Sequence, residues 1–308
     1  MTFNIIKEIK EFYSQFKVYW KNPSRIFDSA KKKLFFTNIG VTGLQNISYN
    51  LMILITVPFL IRVVGPNEYS KFLFILSFLS LIDVIIDYGF YFTGVRTIAN
   101  SKDDTELRNN FYSIIQIKAA IFFICAILIV IIGSYTNFLK YDLSLYLSGL
   151  ILVVGNNLFL GFYYRGKNNF KHYSVANIFA NGLMVFLVLI FVSAGDDSNK
   201  LVIFQGVSNF IPGSVLLILA LSQIKMIRKI FYPDKTRIKY LLNHSFPNAS
   251  TRLTLSFFFI AHLFIIGQFI EGNVFAAYAI SYKVIITVNN FFSAITLPAF
   301  SFLVNHDI

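Results

Sequence analysis

Charged residues and cysteine are both scarce in this sequence. Only 14% of its 308 residues are charged and 56% are hydrophobic, whereas a soluble domain is about a quarter charged. Cys125 is the only cysteine and lies in an apolar stretch. A disulfide within the chain is therefore excluded, and a thiolate metal site is disfavoured. Residues 1–34 are charged and contain no continuous apolar core, so we expect no cleavable signal peptide.

The motifs of common enzymes are also missing. The four histidines are scattered, and there is no Gly-rich phosphate loop, no Gly-x-Ser-x-Gly turn and no His-Glu-x-x-His helix. The acidic pairs Asp103–Asp104 and Asp196–Asp197 fall in short loops, where helix capping is the expected role. We therefore predict neither an enzyme nor a bound cofactor. A membrane glycan polymerase is kept as the enzymatic alternative.

Long apolar blocks dominate the remaining sequence. From Phe35 to Ile61 there is no Asp, Glu, Lys or Arg, and roughly 20 such residues in a helix cross the ~30 Å of membrane hydrocarbon. The sequence predicts an all-α, polytopic transmembrane helix bundle of about eight spans. Their approximate ranges are 35–61, 72–95, 112–133, 143–164, 174–193, 201–222, 245–270 and 274–304.

Lysine and arginine are distributed unevenly between the two sides of this bundle. Of 27 such residues, 20 precede the first span or lie in the loops on the same side. Only four lie on the other side, where the loops, such as Gly65–Ser70, are short: Arg62, Lys71, Lys140 and Lys200. Loops rich in Lys and Arg stay in the cytoplasm, so we expect a cytoplasmic amino terminus. A net charge of +12 that is spread between apolar blocks does not indicate nucleic-acid binding.

The first 34 residues form a basic amphipathic segment. Ile5, Ile9, Phe12, Phe16 and Tyr19 recur at helical spacing, with lysines largely off that stripe. Such a helix can lie on an anionic inner leaflet. A partly ordered basic tail is the alternative.

Five charged side chains fall inside predicted spans, where charge is costly and marks candidate functional sites. They are Asp83, Asp87, Lys118, Arg252 and Lys283. Asp83 and Asp87 lie one helical turn apart, and Asp83, nearer mid-membrane, is the better candidate for a cavity or relay residue. Lys283 is expected to line a cavity. The five charges sum to one surplus positive charge, which suits an anionic passenger such as a diphosphate.

Two of these charges also have simpler interpretations. Asp87 and Lys118 are both about 9–12 Å from the same membrane face, at 1.5 Å per residue, so the two could pair across adjacent helices. Arg252 has no acidic partner in its own span and could extend to the inner surface. Either interpretation would make the residue structural.

The first span carries a polar stripe that includes Asn38, Gln45, Asn46 and Asn50. Polar residues at three- and four-residue steps usually hold helices together. Their number here favours the wall of a water-filled cavity. Asn156 and Asn157 in the fourth span are expected to serve helix packing.

Several stretches resemble, in order, the bacterial polysaccharide flippases (Wzx-like) of the multidrug/oligosaccharidyl-lipid/polysaccharide exporter superfamily. Residues 58–69 are similar to the family's first outer turn, and 86–90 (Ile-Asp-Tyr-Gly-Phe) to its Asp-aromatic-Gly-aromatic motif. Residues 161–167 resemble its aromatic-Gly exit from the fourth span. Ser245-Phe-Pro247, Ala277-Tyr278, Tyr282-Lys283 and Pro298 follow in the expected order.

The resemblance implies two six-helix lobes around a central cavity, lined by the first two helices of each lobe. This chain would then be a truncated member with four parts. They are a cytoplasmic amino-terminal segment (1–34), a complete first lobe (35–222), a cytoplasmic basic linker (223–244) and the first two helices of a second lobe (245–308).

The resemblance also implies a function. Such proteins move an undecaprenyl-diphosphate-linked oligosaccharide repeat unit across the bacterial inner membrane for O-antigen or capsule biosynthesis, possible coupling ions being H⁺ or Na⁺. Expected partners are that lipid, membrane lipids, and polysaccharide polymerase and chain-length proteins. A cation-coupled drug exporter of the same superfamily is the closest alternative.

Overall fold

The computed structural model describes residues 29–136, 139–224, 234–283 and 285. Within these ranges the chain forms helices and no strand, which confirms the all-α class. The helices are α1 (Ser29–Val63), α2 (Gly65–Asp87), α3 (Thr93–Ala99), α4 (Asp104–Tyr135), α5 (Leu143–Leu158), α6 (Gly161–Gly166), α7 (Phe170–Phe191), α8 (Ser198–Ile224), α9 (Lys235–Ser256) and α10 (His262–Phe269). A π-helical turn (Phe257–Ala261) joins the last two, and residues 272–283 are also helical.

Six helical segments of the described chain are long and apolar enough to cross a membrane. They are Phe36–Val63, Gly65–Asp87, Asp104–Tyr135, Leu143–Gly166, Phe170–Phe191 and Ser198–Ile224. Large apolar side chains cover much of their outer surface, for example Phe123, Ile124 and Ile127 on α4. Such a surface fits lipid and not water. The protein is a multi-pass membrane protein.

These six segments overlap the first six predicted spans, but the second prediction, 72–95, was wrong in its bounds. Helix α2 already begins at Gly65, so the predicted outer loop at 65–70 is mostly helical. Pro66 lies in the first turn, where its missing N–H leaves no hydrogen bond unmade, and the nearby acid Glu68 suits the helix dipole. The helix ends at Asp87, because Tyr88 and Gly89 both have positive φ, 45° and 77°.

The other predicted segments are described only in part. The seventh predicted span is occupied by the end of α9, the π-helical turn and α10. Residues 272–283 are helical at the start of the predicted eighth span, and most of its remainder lies outside the described residues, as do residues 1–28 of the amino-terminal segment. In the predicted linker, 225–233 lie outside the described residues, and α9 begins at Lys235.

One acid of each acidic loop pair caps a helix, as expected. Asp103 accepts a hydrogen bond from the Glu106 backbone N–H at 2.7 Å, at the start of α4. Asp197 accepts one from the Lys200 N–H at 3.1 Å, at the start of α8. The Lys200 ammonium donates to Asp196 at 2.8 Å and lowers the pKa of that carboxyl.

Two spans are broken near the same level of the bundle. The chain leaves α2 through Tyr88 and Gly89 before starting α3, and leaves α5 through Leu160, at φ 49°, before starting α6. The short helices α3 and α6 pack together, with Gly94 against the Phe162 side chain and Gly166 against Ile98. Broken helices carry backbone groups and polar side chains into the interior, where transporters place their binding sites.

Glycines let α5 and α8 approach closely along most of their lengths. A Cβ at Gly155 would lie 2.7 Å from the Phe210 backbone nitrogen, and one at Gly206 would lie 3.0 Å from the Leu152 nitrogen. Small residues at helix contacts are typical of membrane proteins. This packing brings Asn156 on α5 and Asn209 on α8 into contact.

Helices α9 and α10 dock along α2. At one end, a Cβ at Gly89 would lie 2.6 Å from the Ala249 backbone nitrogen, and the hydroxyls of Thr93 and Ser245 are 2.8 Å apart. At the other end, Lys140 forms an ion pair with Glu271 at 3.0 Å. The described part of the chain from α9 to Glu271 is thus held to the six-span bundle at two separate places.

Candidate functional site

A polar cavity of about 260 Å³ lies where the two broken spans meet. Helices α2, α4, α5, α6, α7, α8 and α9 all contribute side chains to its wall. Five of these side chains are charged: Asp83, Asp87, Lys118, Arg165 and Arg252. Such a concentration of charge within membrane-spanning helices marks the cavity as the candidate functional site.

Asp87 is the centre of an ion-pair cluster. Its Oδ1 is 3.0 Å from Lys118 Nζ on α4, and its Oδ2 is 2.6 Å from Arg252 Nη1 on α9. The backbone N–H of Tyr91 also donates to Oδ2 at 3.0 Å. The structure therefore contains the Asp87–Lys118 pair that depth along the helices suggested. It also pairs Arg252 with an acid on another helix, although its own span offers none.

Asp83 has a different environment, made of amides. Asn157 Nδ2 donates to its Oδ1 at 2.8 Å, and Asn156 Nδ2 donates to its Oδ2 at 3.1 Å. Among the described residues, no Lys or Arg lies within ion-pair distance of this carboxyl. These bonds join α5 to α2, which is the helix-packing role expected of Asn156 and Asn157, and both residues also line the cavity.

The amides also join the two acids into one network. Asn157 Oδ1 accepts a hydrogen bond from Lys118 Nζ at 3.2 Å. The Asn157 side chain therefore contacts both Asp83 and Lys118, and Lys118 is paired with Asp87. On the far side, Asn209 Nδ2 donates to Asn156 Oδ1 at 2.8 Å. A change at one carboxyl can therefore reach the other through two side chains.

The ring of Tyr91 lies against two guanidinium groups. Arg165 Cζ is 4.0 Å from the ring centroid, and Arg252 Cζ is 4.6 Å from it. Arg165 is 6% exposed, and its Nε donates to the Gly161 carbonyl at 3.0 Å. An aromatic face attracts cations, so Tyr91 stabilises two like charges near one another. The cavity wall carries three cations and two carboxylates.

The polar stripe of α1 lies elsewhere. Asn38 is 3% exposed and donates to the Asn168 side chain at 2.9 Å, which ties α1 to the turn before α7. Gln45, Asn46 and Asn50 are half-buried, and none of the four is among the residues that line this cavity. Lys283, half-buried near the end of the described chain, is also not among them.

Sequence reasoning missed Arg165 and Tyr91. Arg165 was counted with the loops, because nothing in the sequence announces a helix break at Leu160. Arg165 lies within the stretch 161–167 and Tyr91 directly follows the stretch 86–90. The family-like stretches therefore indicated where these two residues lie, but not what they contact. Among the described residues, no group of three or more His, Cys, Asp or Glu could hold a metal ion.

Comparison with known proteins agrees with this architecture. The family model described as "Polysaccharide biosynthesis protein" matches residues 35–303. A protein of Escherichia coli (strain K12) named "Putative O-antigen transporter" is 23% identical over 168 residues, which are 54% of this chain and 40% of that protein. No solved structure matches the chain at a significant level.

The family match covers every helix that lines the cavity, α2 and α4–α9. The resemblance to polysaccharide flippases that the motifs indicated is thereby confirmed at the level of the family. The alignment spans only two fifths of that relative's length. By the extent of the family match, this chain belongs to the polysaccharide biosynthesis protein family.

Proposed function

We propose that this protein moves a lipid-linked oligosaccharide across the bacterial inner membrane, as a flippase for O-antigen or capsule repeat units. The observation that carries the proposal is the charged cavity inside the membrane-spanning helices. Family membership and the similarity to a protein named as an O-antigen transporter support it.

A flippase must shelter a sugar head group while the lipid tail stays in the bilayer. Each hydroxyl that enters hydrocarbon without a partner costs several kcal/mol, about 2–7 for one group. The cavity wall offers amides from Asn156, Asn157, Asn177 and Asn209 beside aromatic rings of Tyr91 and Tyr173. Amides and aromatic faces provide the hydrogen bonds and apolar contacts that sugar rings need.

The cations suit the diphosphate that links sugar to lipid. Arginine binds phosphate through two parallel N–H···O bonds, and charge-assisted bonds are stronger than neutral ones. Arg165, Arg252 and Lys118 come from three different helices, so an anion between them would also draw those helices together. A cavity for cationic drugs would need surplus acid, whereas this one has three cations to two carboxylates.

Asp83 is our candidate for ion coupling. A carboxyl held by two neutral amides can gain or lose a proton, or meet Na⁺, without breaking an ion pair. The charge network through Asn157 would pass that change to the Asp87 cluster. Lys283, Gln45, Asn46 and Asn50 remain candidates for other stages of the transport path.

The proposal includes an orientation and partners. The uneven distribution of Lys and Arg supports an orientation in which the amino terminus, and the helix breaks beside the cavity, are toward the cytoplasm. The passenger would be an undecaprenyl-diphosphate-linked repeat unit, handed on to polymerase and chain-length proteins. The protein itself would form or break no covalent bond.

A complementation assay with the full-length gene tests the proposal. In a strain without its own flippase, Arg165→Gln should lower surface polysaccharide at least tenfold and leave lipid-linked precursor in the membrane. One lost charge-assisted bond is worth about 1.5–3 kcal/mol, which is roughly tenfold or more. Arg62→Gln, at an exposed position on α1, is the matched control and should export normally.

Three outcomes would contradict the proposal. If Arg165→Gln exports normally when its amount in the membrane equals that of wild type, the cavity is not part of the transport path. Altered chain length without trapped precursor would indicate a polymerase. Changed drug resistance with unchanged glycan export would indicate the drug exporter.

A further inference from the structure

Asp87 uses both carboxylate oxygens on cations from two different helices. Oδ1 faces Lys118 Nζ at 3.0 Å and Oδ2 faces Arg252 Nη1 at 2.6 Å. Two cations that share one carboxylate can also share one phosphate group, because both anions offer two oxygens to the same donors. The geometry points to a second role for this residue, beyond stabilising the fold.

We propose that Asp87 is a built-in counter-anion: it holds the anion subsite when the cavity is empty and is displaced when substrate phosphate binds. The inference rests on the proposed function, because it assumes an anionic passenger. Asp87 is then a positioning residue. When the passenger binds, its phosphate replaces the Asp87 carboxylate at Lys118 and Arg252, and when the passenger leaves, the carboxylate returns to both cations.

Burial makes such an exchange necessary. The side chains of Lys118 and Arg252 are 14% and 25% exposed, so water solvates them poorly once an anion leaves. A buried cation without a partner is costly, and release would then be slow. A carboxylate that returns to the two cations removes this cost, so that a tightly bound anion can still be released.

The position of Asp87 in the chain suits movement. It is the last residue of α2 and is followed by two residues with positive φ, so its backbone is at a helix end and not within a continuous helix. Asp83, one turn earlier, is held by Asn156 and Asn157 instead of by the cations. Asp196, whose carboxylate pairs with Lys200 at 2.8 Å and which is not among the residues that line the cavity, is the control: its removal subtracts the same charge without freeing either cation.

Binding of inorganic diphosphate to the purified full-length protein tests the inference, measured by isothermal titration calorimetry. Asp87→Asn should bind diphosphate at least tenfold more tightly than wild type, because no carboxylate competes for Lys118 and Arg252. Asp196→Asn should change the affinity less than threefold. Export by Asp87→Asn should fall although binding improves, because release is slowed. Equal or weaker binding by Asp87→Asn would overturn the inference.

A measurement on wild type covers the case in which Asp87→Asn does not fold. In protein labelled with ¹³C-aspartate, added diphosphate should shift a carboxylate stretch in the infrared difference spectrum. The shift should vanish in labelled Asp87→Glu, which keeps a carboxylate there but carries no label at that position. A diphosphate-bound wild type with no such shift would overturn the inference.

The results also separate this inference from the proposed function. If wild type binds diphosphate and Arg165→Gln loses both binding and export, the anion site stands, and Asp87→Asn decides the counter-anion role alone. If wild type binds no diphosphate and Arg165→Gln exports normally, the proposed function fails and the inference fails with it.

Discussion

Helices α1 and α2 are consecutive spans that both carry polar side chains into the membrane, yet their polar groups do different things. On α1 the candidate side chains are the neutral amides of Asn38, Gln45, Asn46 and Asn50. The Asn38 amide donates a hydrogen bond to the Asn168 side chain. On α2 they are carboxylates, and both line the charged cavity. A buried amide is neutral and needs only hydrogen-bond partners, whereas a buried carboxylate needs cations or several donors. Charge, more than the number of polar residues, thus indicates where a membrane protein builds an internal site.

The largest difference between the two spans should appear at their glycines. Gly89, just after α2, has a φ of 77° and contacts the α9 backbone, whereas Gly43 on α1 has open space around its Cβ position. Backbone strain costs about 1–3 kcal/mol and overpacking about as much. Gly89→Val should therefore lose about 2–6 kcal/mol and detach α9 from α2, measured as the unfolding midpoint in detergent.

The matched control is Gly43→Val, which should stay within about 1 kcal/mol of wild type because the site is open and helical. Equal loss of stability in the two variants would mean that α9 does not dock on the turn after α2. The comparison between the spans would then fail at its structural base.

A smaller effect is expected when an amide of α1 is removed. Asn38→Ala breaks the hydrogen bonds to Asn168 and should cost about 1–3 kcal/mol of stability. Export per folded molecule should stay within twofold of wild type. The cavity variant Asn157→Ala is the counterpart, and it should lower export because Asp83 and Lys118 both lose a contact. Lost export by stable Asn38→Ala would instead assign the α1 stripe to the transport path.

The spans were predictable because hydrocarbon demands long apolar helices, and six of the eight predicted blocks overlap six segments long enough to cross a membrane. The breaks were not. Tyr88 and Leu160 adopt positive φ although neither is glycine. Tertiary contacts impose this conformation, so the local sequence does not predict it. Only Gly89 gave a local signal at either break.

The same reason limited the prediction of the site. Four of the five predicted charges, Asp83, Asp87, Lys118 and Arg252, line one cavity, because charge within a span is costly wherever it lies. Arg165 completes the set only because the chain breaks before α6. The partner of Arg252 lies 165 residues away on α2, and pairing over such a distance depends on helix packing that periodicity alone does not give.

Cysteine accessibility tests the central claim most directly, namely that the charged cavity is open to water and receives anions. In a Cys125→Ala background, which removes the only cysteine, Asn177→Cys tests a position on α7 that lines the cavity, and Ile124→Cys tests one on the apolar outer surface of α4. A negatively charged methanethiosulfonate reagent should label the Asn177→Cys variant at least tenfold faster, and inorganic diphosphate should slow that labelling. Equal, slow labelling of both variants, without an effect of diphosphate, would contradict the account.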